Sequence, residues 1–214
     1  LYYFVIIKSQ DTKEIKMIDI KQKPCGAYMT NCYIVEIDGK ELIIDPGVDA
    51  ADWVKNHVKN PVAILNTHGH FDHIWSNAEL KEFYGIPIYT PKDDVFMLNS
   101  DPFSQGTPFS VADVEVSGDE EFDIDGIEVK FLWFPGHTPG CSAILIDNAF
   151  FSGDFIFKGS IGRVDFPFSN PQDMKKSIEK FLKFKDNFKV YPGHGESSSV
   201  FEEQKTLPTW LSYI

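Results

Sequence analysis

The segment Thr67-His68-Gly69-His70-Phe71-Asp72-His73 sets three imidazoles and a carboxylate into six positions, directly after the apolar run Val62-Ala63-Ile64-Leu65. Half of the six histidines in the chain stand there. Imidazole mixed with carboxylate suits zinc, iron or manganese rather than calcium or magnesium. The cluster holds more ligands than one tetrahedral ion needs once other histidines join it, which leaves room for two ions.

Three further residues share one context. His137 stands in Phe134-Pro135-Gly136-His137-Thr138-Pro139-Gly140, Asp154 follows Phe150-Phe151-Ser152-Gly153, and His194 lies in Tyr191-Pro192-Gly193-His194-Gly195. Each follows a β-like run and sits among turn residues, where a rigid sheet can hold loop-borne chemistry. His57 has no such setting and reads as an exposed helix residue. Cys32 and Cys141 read as small buried residues inside strands.

The elements that must position these groups alternate between strand and helix. Residues 33–37 and 41–45 flank Asp38-Gly39, a two-residue hairpin signal. Residues 50–59 read as a helix, 62–65 as a buried strand ending near Asn66, 74–84 as an amphipathic helix stopped by Gly85, and 86–89 as a strand. Residues 91–120 are weakly patterned and suit a helix followed by a long loop over the site. Strands are expected at 127–134, 142–147 and 149–152, and a helix at 171–184 with Asn170 as its cap and Pro171 at its first position. Leu1 to Ile7 reads as an edge strand, too short to span a bilayer and without the features of a signal peptide. Met17 offers an alternative start, with residues 1–16 a peripheral extension. The expectation is one α+β domain over residues 1–214.

Size and charge bound the function. The 214 residues suffice to bury a sizeable core, and the net charge of −12 argues against a nucleic-acid partner. Three cysteines without C-x-x-C spacing fit reduced thiols in a cytoplasmic enzyme better than a disulfide scaffold. The 19 phenylalanines read mainly as core, with Phe71 at the substrate mouth or over a helix start. A small-molecule substrate and no membrane partner are expected, and the sequence assigns no oligomeric state.

Together the motifs resemble the metallo-β-lactamase-fold hydrolases and, within them, the short glyoxalase II-like (hydroxyacylglutathione hydrolase-like) enzymes. The H-x-H-x-D-H cluster carries the resemblance. P-G-H-T-P-G at 135–140, S-G-D at 152–154, P-G-H-G at 192–195, the segment 157–167, Thr30-Asn31-Cys32-Tyr33 and Ile44-Asp45-Pro46-Gly47 add to it. It implies an αββα four-layer sandwich with two divalent ions, zinc foremost and iron or manganese as alternatives, at one edge. It assigns His68, His70 and His137 to the first ion and Asp72, His73 and His194 to the second, with Asp154 bridging them. Asp72 and Asp154 would thereby serve catalysis, and Asp45 would orient ligands of the His68 loop. The implied reaction is hydrolysis of S-lactoylglutathione or a related acyl thioester by a metal-bridging hydroxide.

Departures from the pattern narrow this reading. Asp154 stands where many β-lactamases of the fold carry cysteine, which disfavours antibiotic hydrolysis. About twenty residues follow His194, so no helical C-terminal domain for glutathione is expected. Arg163, the single arginine, aligns with a glutathione-binding basic residue and could hold a substrate carboxylate or form a structural ion pair. Lys158 is a weaker substrate-binding candidate. The alternatives are a mononuclear iron persulfide dioxygenase using His68, His137 and Asp154, a lactonase, and a non-catalytic metal-binding module.

Overall fold

The computed structural model describes residues 18–214, so the expected edge strand at 1–7 and extension at 1–16 lie outside the described residues. One sheet is built in spatial order from β1 (Ile18–Cys25), β2 (Thr30–Ile37), β3 (Lys40–Ile44), β4 (Pro61–Leu65), β5 (Ile88–Pro91) and β6 (Val114–Val116). Strands β7 (Glu120–Ile124), β8 (Ile127–Trp133), β9 (Ser142–Ile146) and β10 (Ala149–Gly153) begin the second sheet. A small ribbon, β11 (Ile156–Phe157) with β12 (Ser160–Ile161), interrupts the chain before β13 (Lys189–Pro192) and β14 (Ser198–Ser199) complete that sheet as β14-β13-β10-β9-β8-β7.

Strand alternation sorts the side chains into layers. Tyr33, Val35, Leu42, Ile44, Ala63 and Leu65 of the first sheet join Val129, Phe131, Ile144, Ile146 and Phe151 of the second in one buried core. The alternate residues Cys32, Ile34, Ile43 and Ile64 face outward against α1 (Ala51–His57) and α3 (Asn77–Tyr84), packing with Val54 and Leu80. On the far side, Ala143, Phe150 and Val190 pack with Met174, Ile178 and Phe181 of α5 (Pro171–Phe181) and with Val200 and Leu207 of α6 (Val200–Trp210). The result is the expected αββα sandwich.

Local chemistry accounts for several boundaries. Asp38 and Gly39 hold φ of 52° and 76°, the paired positive values of a type I′ hairpin turn. Asn170 caps α5 by accepting from the backbone N–H groups of Gln172 (2.9 Å) and Asp173 (3.3 Å), with Pro171 first in the helix. The helix expected over 74–84 is instead two pieces, α2 (Phe71–Ile74) and α3. Ser76 ends the first piece because its backbone N–H and hydroxyl donate to the Pro46 and Gly47 carbonyls, at 2.9 and 2.7 Å. Residues 91–120 also depart from expectation. After a 3-10 turn (Lys92–Asp94) and the short helix α4 (Val95–Ser100), the chain forms β6 beside β5 and then starts β7.

Pairing directions gather the strand ends. Strands β3 and β4 are parallel, as are β10 and β13, while β8 and β10 each run antiparallel to the intervening β9. The loops after β3, β4, β8, β10 and β13 therefore leave the sandwich along one edge, where the start of β2 also arrives.

Candidate metal centre

These loops carry the chemistry singled out in the sequence. His68 and His70 follow β4, His137 follows β8, Asp154 follows β10 and His194 follows β13, while Asp72 and His73 lie in α2. His70 Nδ1 stands 3.2 Å from His68 Nε2 and 2.9 Å from His137 Nε2. Bonds of about 2.0–2.1 Å at a tetrahedral angle would set two nitrogen ligands about 3.3 Å apart, so this spacing suits one ion. A second group joins Asp72, His73 and His194, with Asp72 Oδ2 3.7 Å from His73 Nε2 and 3.5 Å from His194 Nε2. The Asp154 carboxylate stands between them. Its Oδ1 is 3.3 Å from His73 Nε2, and its Oδ2 is 3.4 Å from both His137 Nε2 and His194 Nε2.

The surrounding hydrogen bonds leave lone pairs aimed inward. His73 Nδ1 donates to Asp45 Oδ2 at 2.9 Å, His137 Nδ1 to the Arg163 carbonyl at 2.9 Å, and His194 Nδ1 to the Tyr28 carbonyl at 3.0 Å. The Thr67 hydroxyl donates to Asp45 Oδ2 at 2.6 Å, so its oxygen is left to accept from His68 Nδ1 at 3.1 Å. With Nδ1 protonated in each ring, Nε2 is the free donor atom, the arrangement that fixes the tautomer of a metal-binding histidine. His73 Nε2 and Asp154 Oδ1 are buried without a hydrogen-bond partner among the described residues, and a cation between them would supply one. The residues present thus fit two metal ions.

Electrostatics divides the two groups. Burial holds His68 and His70 well below the ordinary histidine pKa and lowers His137 as well, making them neutral nitrogen donors. Burial also acts against a charged His73, yet the Asp154, Asp72 and Asp45 carboxylates outweigh it and hold that imidazole well above its usual value. His194 is raised likewise, burial being outweighed by its hydrogen bond to Asp154 and that group's charge. Burial opposes ionisation of Asp154, but His73 and His194 keep its carboxyl well below the carboxylate range. A bound cation would take the place of those protons.

Further residues hold this arrangement, among them Asp94, which carries no sequence signal of its own. Thr30 Oγ1 donates to Asp72 Oδ2 at 2.6 Å, and Asn31 Nδ2 donates to the Pro192 and Gly195 carbonyls at 2.9 and 3.0 Å, fixing the His194 loop. Fully buried Asp94 accepts from Gly69 N at 2.9 Å, Thr138 Oγ1 at 2.6 Å and Gly140 N at 2.7 Å, tying the His68–His70 loop to the His137 loop. Burial pushes its carboxyl up to about 6. Asp45 follows β3 at φ 48°, an uncommon value for a residue with a side chain, and Thr67 N donates to its Oδ1 at 2.8 Å. Gly193 has no room for a side chain, since a Cβ there would meet Asp154 Oδ1 at 2.1 Å.

Above the centre opens a cavity of about 510 Å³ lined by Tyr28, Phe71, Phe103, Phe157 and Phe166, together with Gln105 and Arg163. Phe71 lies at the cavity mouth as one expectation had it, whereas Phe103, Phe157 and Phe166 line the cavity where core positions were expected. Arg163 reaches the cavity and also makes a two-point ion pair, its Nε and Nη2 lying 2.9 and 2.7 Å from the Asp165 carboxylate oxygens. Lys158 is not in the lining; its Nζ pairs with Glu196 Oε2 at 2.6 Å in solvent. His57 is exposed, and Cys25, Cys32 and Cys141 are free and buried. No helix among the described residues is long and apolar enough to cross a membrane.

Comparison with known proteins agrees with this geometry. The chain is 33% identical over 201 residues to the probable metallo-hydrolase YqgX of Bacillus subtilis, an alignment covering 88% of this chain and 95% of the relative. It is 30% identical over 207 residues to the hydroxyacylglutathione hydrolase GloC of Haemophilus influenzae, with coverage of 89% and 97%. Among solved structures, the BLEG-1 B3 metallo-beta-lactamase superposes with a TM-score of 0.82 at 29% identity, covering 91% of this chain and all of that one. A di-iron-bound protein, TTHA1623, superposes with a TM-score of 0.75 at 29% identity, covering 88% and 99%. The sequence pattern of the metallo-beta-lactamase superfamily matches residues 25–194, and the chain belongs to that superfamily.

Proposed function

We propose that this protein is a binuclear metal-dependent hydrolase of the glyoxalase II-like kind, cleaving an acyl thioester to an acid and a free thiol. The carrying observation is the Asp154 carboxylate, which lies within 3.4 Å of His73, His137 and His194 and so touches both ligand groups at the floor of an open cavity. His68, His70 and His137 would hold one ion and Asp72, His73 and His194 the other, with Asp154 shared between them. Two such ions would supply Lewis acidity for the substrate carbonyl and an activated water to attack it.

The chain's own residues organise that chemistry. Asp45 fixes the tautomers of His73 directly and of His68 through Thr67, while Thr30 orients Asp72. The aromatic rim limits water around the reacting group, with Arg163 at its edge. Zinc heads the metal candidates, and the di-iron-bound relative keeps iron beside it. The name of the Haemophilus influenzae relative makes S-lactoylglutathione the reference substrate. Three free buried thiols suit a cytoplasmic setting.

The test is elemental analysis of the purified protein combined with turnover of S-lactoylglutathione, a lactone, a chromogenic cephalosporin and glutathione persulfide under oxygen. Two ions per chain with thioester cleavage are expected. One iron per chain with oxygen uptake on the persulfide would instead establish the dioxygenase reading, and cleavage of the lactone or cephalosporin alone would move the substrate class.

A further inference from the structure

Two aromatic walls flank the candidate centre. Phe103 lies 5.2 Å from the His70 ring, and Phe166 lies 6.1 Å from His70 and 6.2 Å from His137. Beside Asp72 and His194, Tyr28 and Phe71 meet edge to face at 5.3 Å, and Phe157 lies 5.8 Å from the His194 ring. Charge is distributed the other way. Among the described residues lining the cavity, Arg163 is the only lysine or arginine. Its guanidinium is already committed to the Asp165 carboxylate and stacks 4.0 Å above the Phe166 ring. Lys158 is engaged by Glu196.

We propose that the site prefers a thioester whose thiol portion is apolar and uncharged, packed between these walls, over a thioester of glutathione. This rests on the thioesterase reading above. The glutathione portion brings two carboxylates and an ammonium, which would have to displace Asp165 from Arg163 or be desolvated beside aromatic faces. An apolar thiol meets no such cost. Its burial removes hydrocarbon from water, and a ring finds edge-to-face partners already in place. Arg163 accordingly stands at the cavity edge as a cap on Phe166 already paired with Asp165, rather than waiting as a free anchor for an anion.

The experiment gives the metal-loaded protein two thioesters with the same acyl group, S-lactoylglutathione and the lactoyl thioester of benzyl mercaptan, each rate corrected for its alkaline hydrolysis. The expected kcat/KM is about tenfold or more higher for the benzyl compound, the effect of burying a ring-sized apolar group. Phe103→Ala should erase most of that preference, and Phe166→Ala serves in its place if the first variant does not fold. Asp165→Asn, which releases Arg163, should raise kcat/KM for S-lactoylglutathione and narrow the gap. Equal or inverted preference overturns the proposal, as does an Asp165→Asn variant that leaves the gap as wide.

Calorimetric binding of the two thiol products separates this proposal from the reading beneath it, because both offer the same sulfur and differ only in what the walls meet. Tighter binding of benzyl mercaptan without turnover of either ester upholds the walls and removes the thioesterase reading. Equal affinities overturn the proposal whatever the turnover.

Discussion

The floor and the rim of the cavity are built on different principles. On the floor, buried polar groups hold several of the residues that face the ligand clusters from behind: Asp45 behind His73, Thr30 behind Asp72, Asp94 behind the loops of His70 and His137. On the rim, rings from residues 101–113 and 157–168 lean on one another through edge contacts and remain partly open to solvent, with Phe166 36% exposed and Phe168 50%. Directional hydrogen bonds fix atoms to fractions of an ångström, as ligand geometry demands. Apolar contacts fix volume and tolerate substitution. Reaction class should therefore reside in the floor and substrate choice in the rim.

The largest expected effect comes from breaking the floor itself. Asp72→Ala removes a ligand from the second group while leaving the sandwich core untouched. Hydrolysis should fall about a thousandfold or more, several kcal/mol of lost charge stabilisation. Elemental analysis should show the metal content reduced towards one ion per chain, with the circular dichroism of the parent. Near-normal activity would contradict a two-ion centre.

Next comes the partner that touches no ligand atom. Asp94→Asn keeps the shape but replaces one acceptor oxygen with an amide that faces the Gly140 N–H or the donors of Gly69 and Thr138. Losing such an outer partner typically costs about 10–100-fold in metal affinity or activity. Chelator competition should place that loss on the ion held by His68, His70 and His137. Unchanged affinity would mean that Asp94 supports the fold alone.

The contrast between Asp72 and Asp94 also separates what the sequence reveals from what it hides. The proposed ligands are legible because a local cluster and repeated strand-end turns bring chemically specific residues into recognisable context. Asp94 is one of two adjacent acids outside any motif, and its partners arrive from 25 and more positions away, so its role exists only in the folded chain. Thr30 is hidden for the same reason, although it lies in a segment that resembles the family's opening hairpin. Among the elements, long periodic segments such as the β2–β3 hairpin and α5 announce themselves. The three-residue β6 and the acid-rich β7 do not, since β6 depends on pairing with β5 and β7 on pairing with β8. In α6, Pro208 conceals a helix whose apolar face, Val200 and Leu207, packs under the second sheet.

A milder perturbation of the floor should give a milder result. Thr30→Val keeps the volume and deletes the hydroxyl that donates to Asp72 Oδ2. A hydrogen bond to a charged group is worth about 1.5–3 kcal/mol, so a loss of about tenfold in kcat is expected, with both ions retained. Loss of an ion in this variant would show that Thr30 secures the ligand rather than tuning it.

The smallest effect belongs to the rim, where two contributions oppose each other. Phe168 holds φ at 70°, a left-handed conformation that is strained for a bulky side chain, while its ring braces Phe96 at 5.0 Å and Phe103 at 6.1 Å. Phe168→Gly relieves backbone strain of about 1–2 kcal/mol. It also gives up aromatic contacts worth about 0.5–1.5 kcal/mol each, together with the burial of half a ring. The losses exceed the relief by about 1 kcal/mol, so Tm should fall by only about 2–4 °C. Substrate affinity has no such compensation. Without its brace, Phe103 packs less firmly over His70, and KM for an apolar thioester should rise about threefold, a fraction of one aromatic contact, while metal content stays at the parental value. A change in metal content would show that the rim reaches into the floor, and the division between reaction class and substrate choice would then fail at this residue.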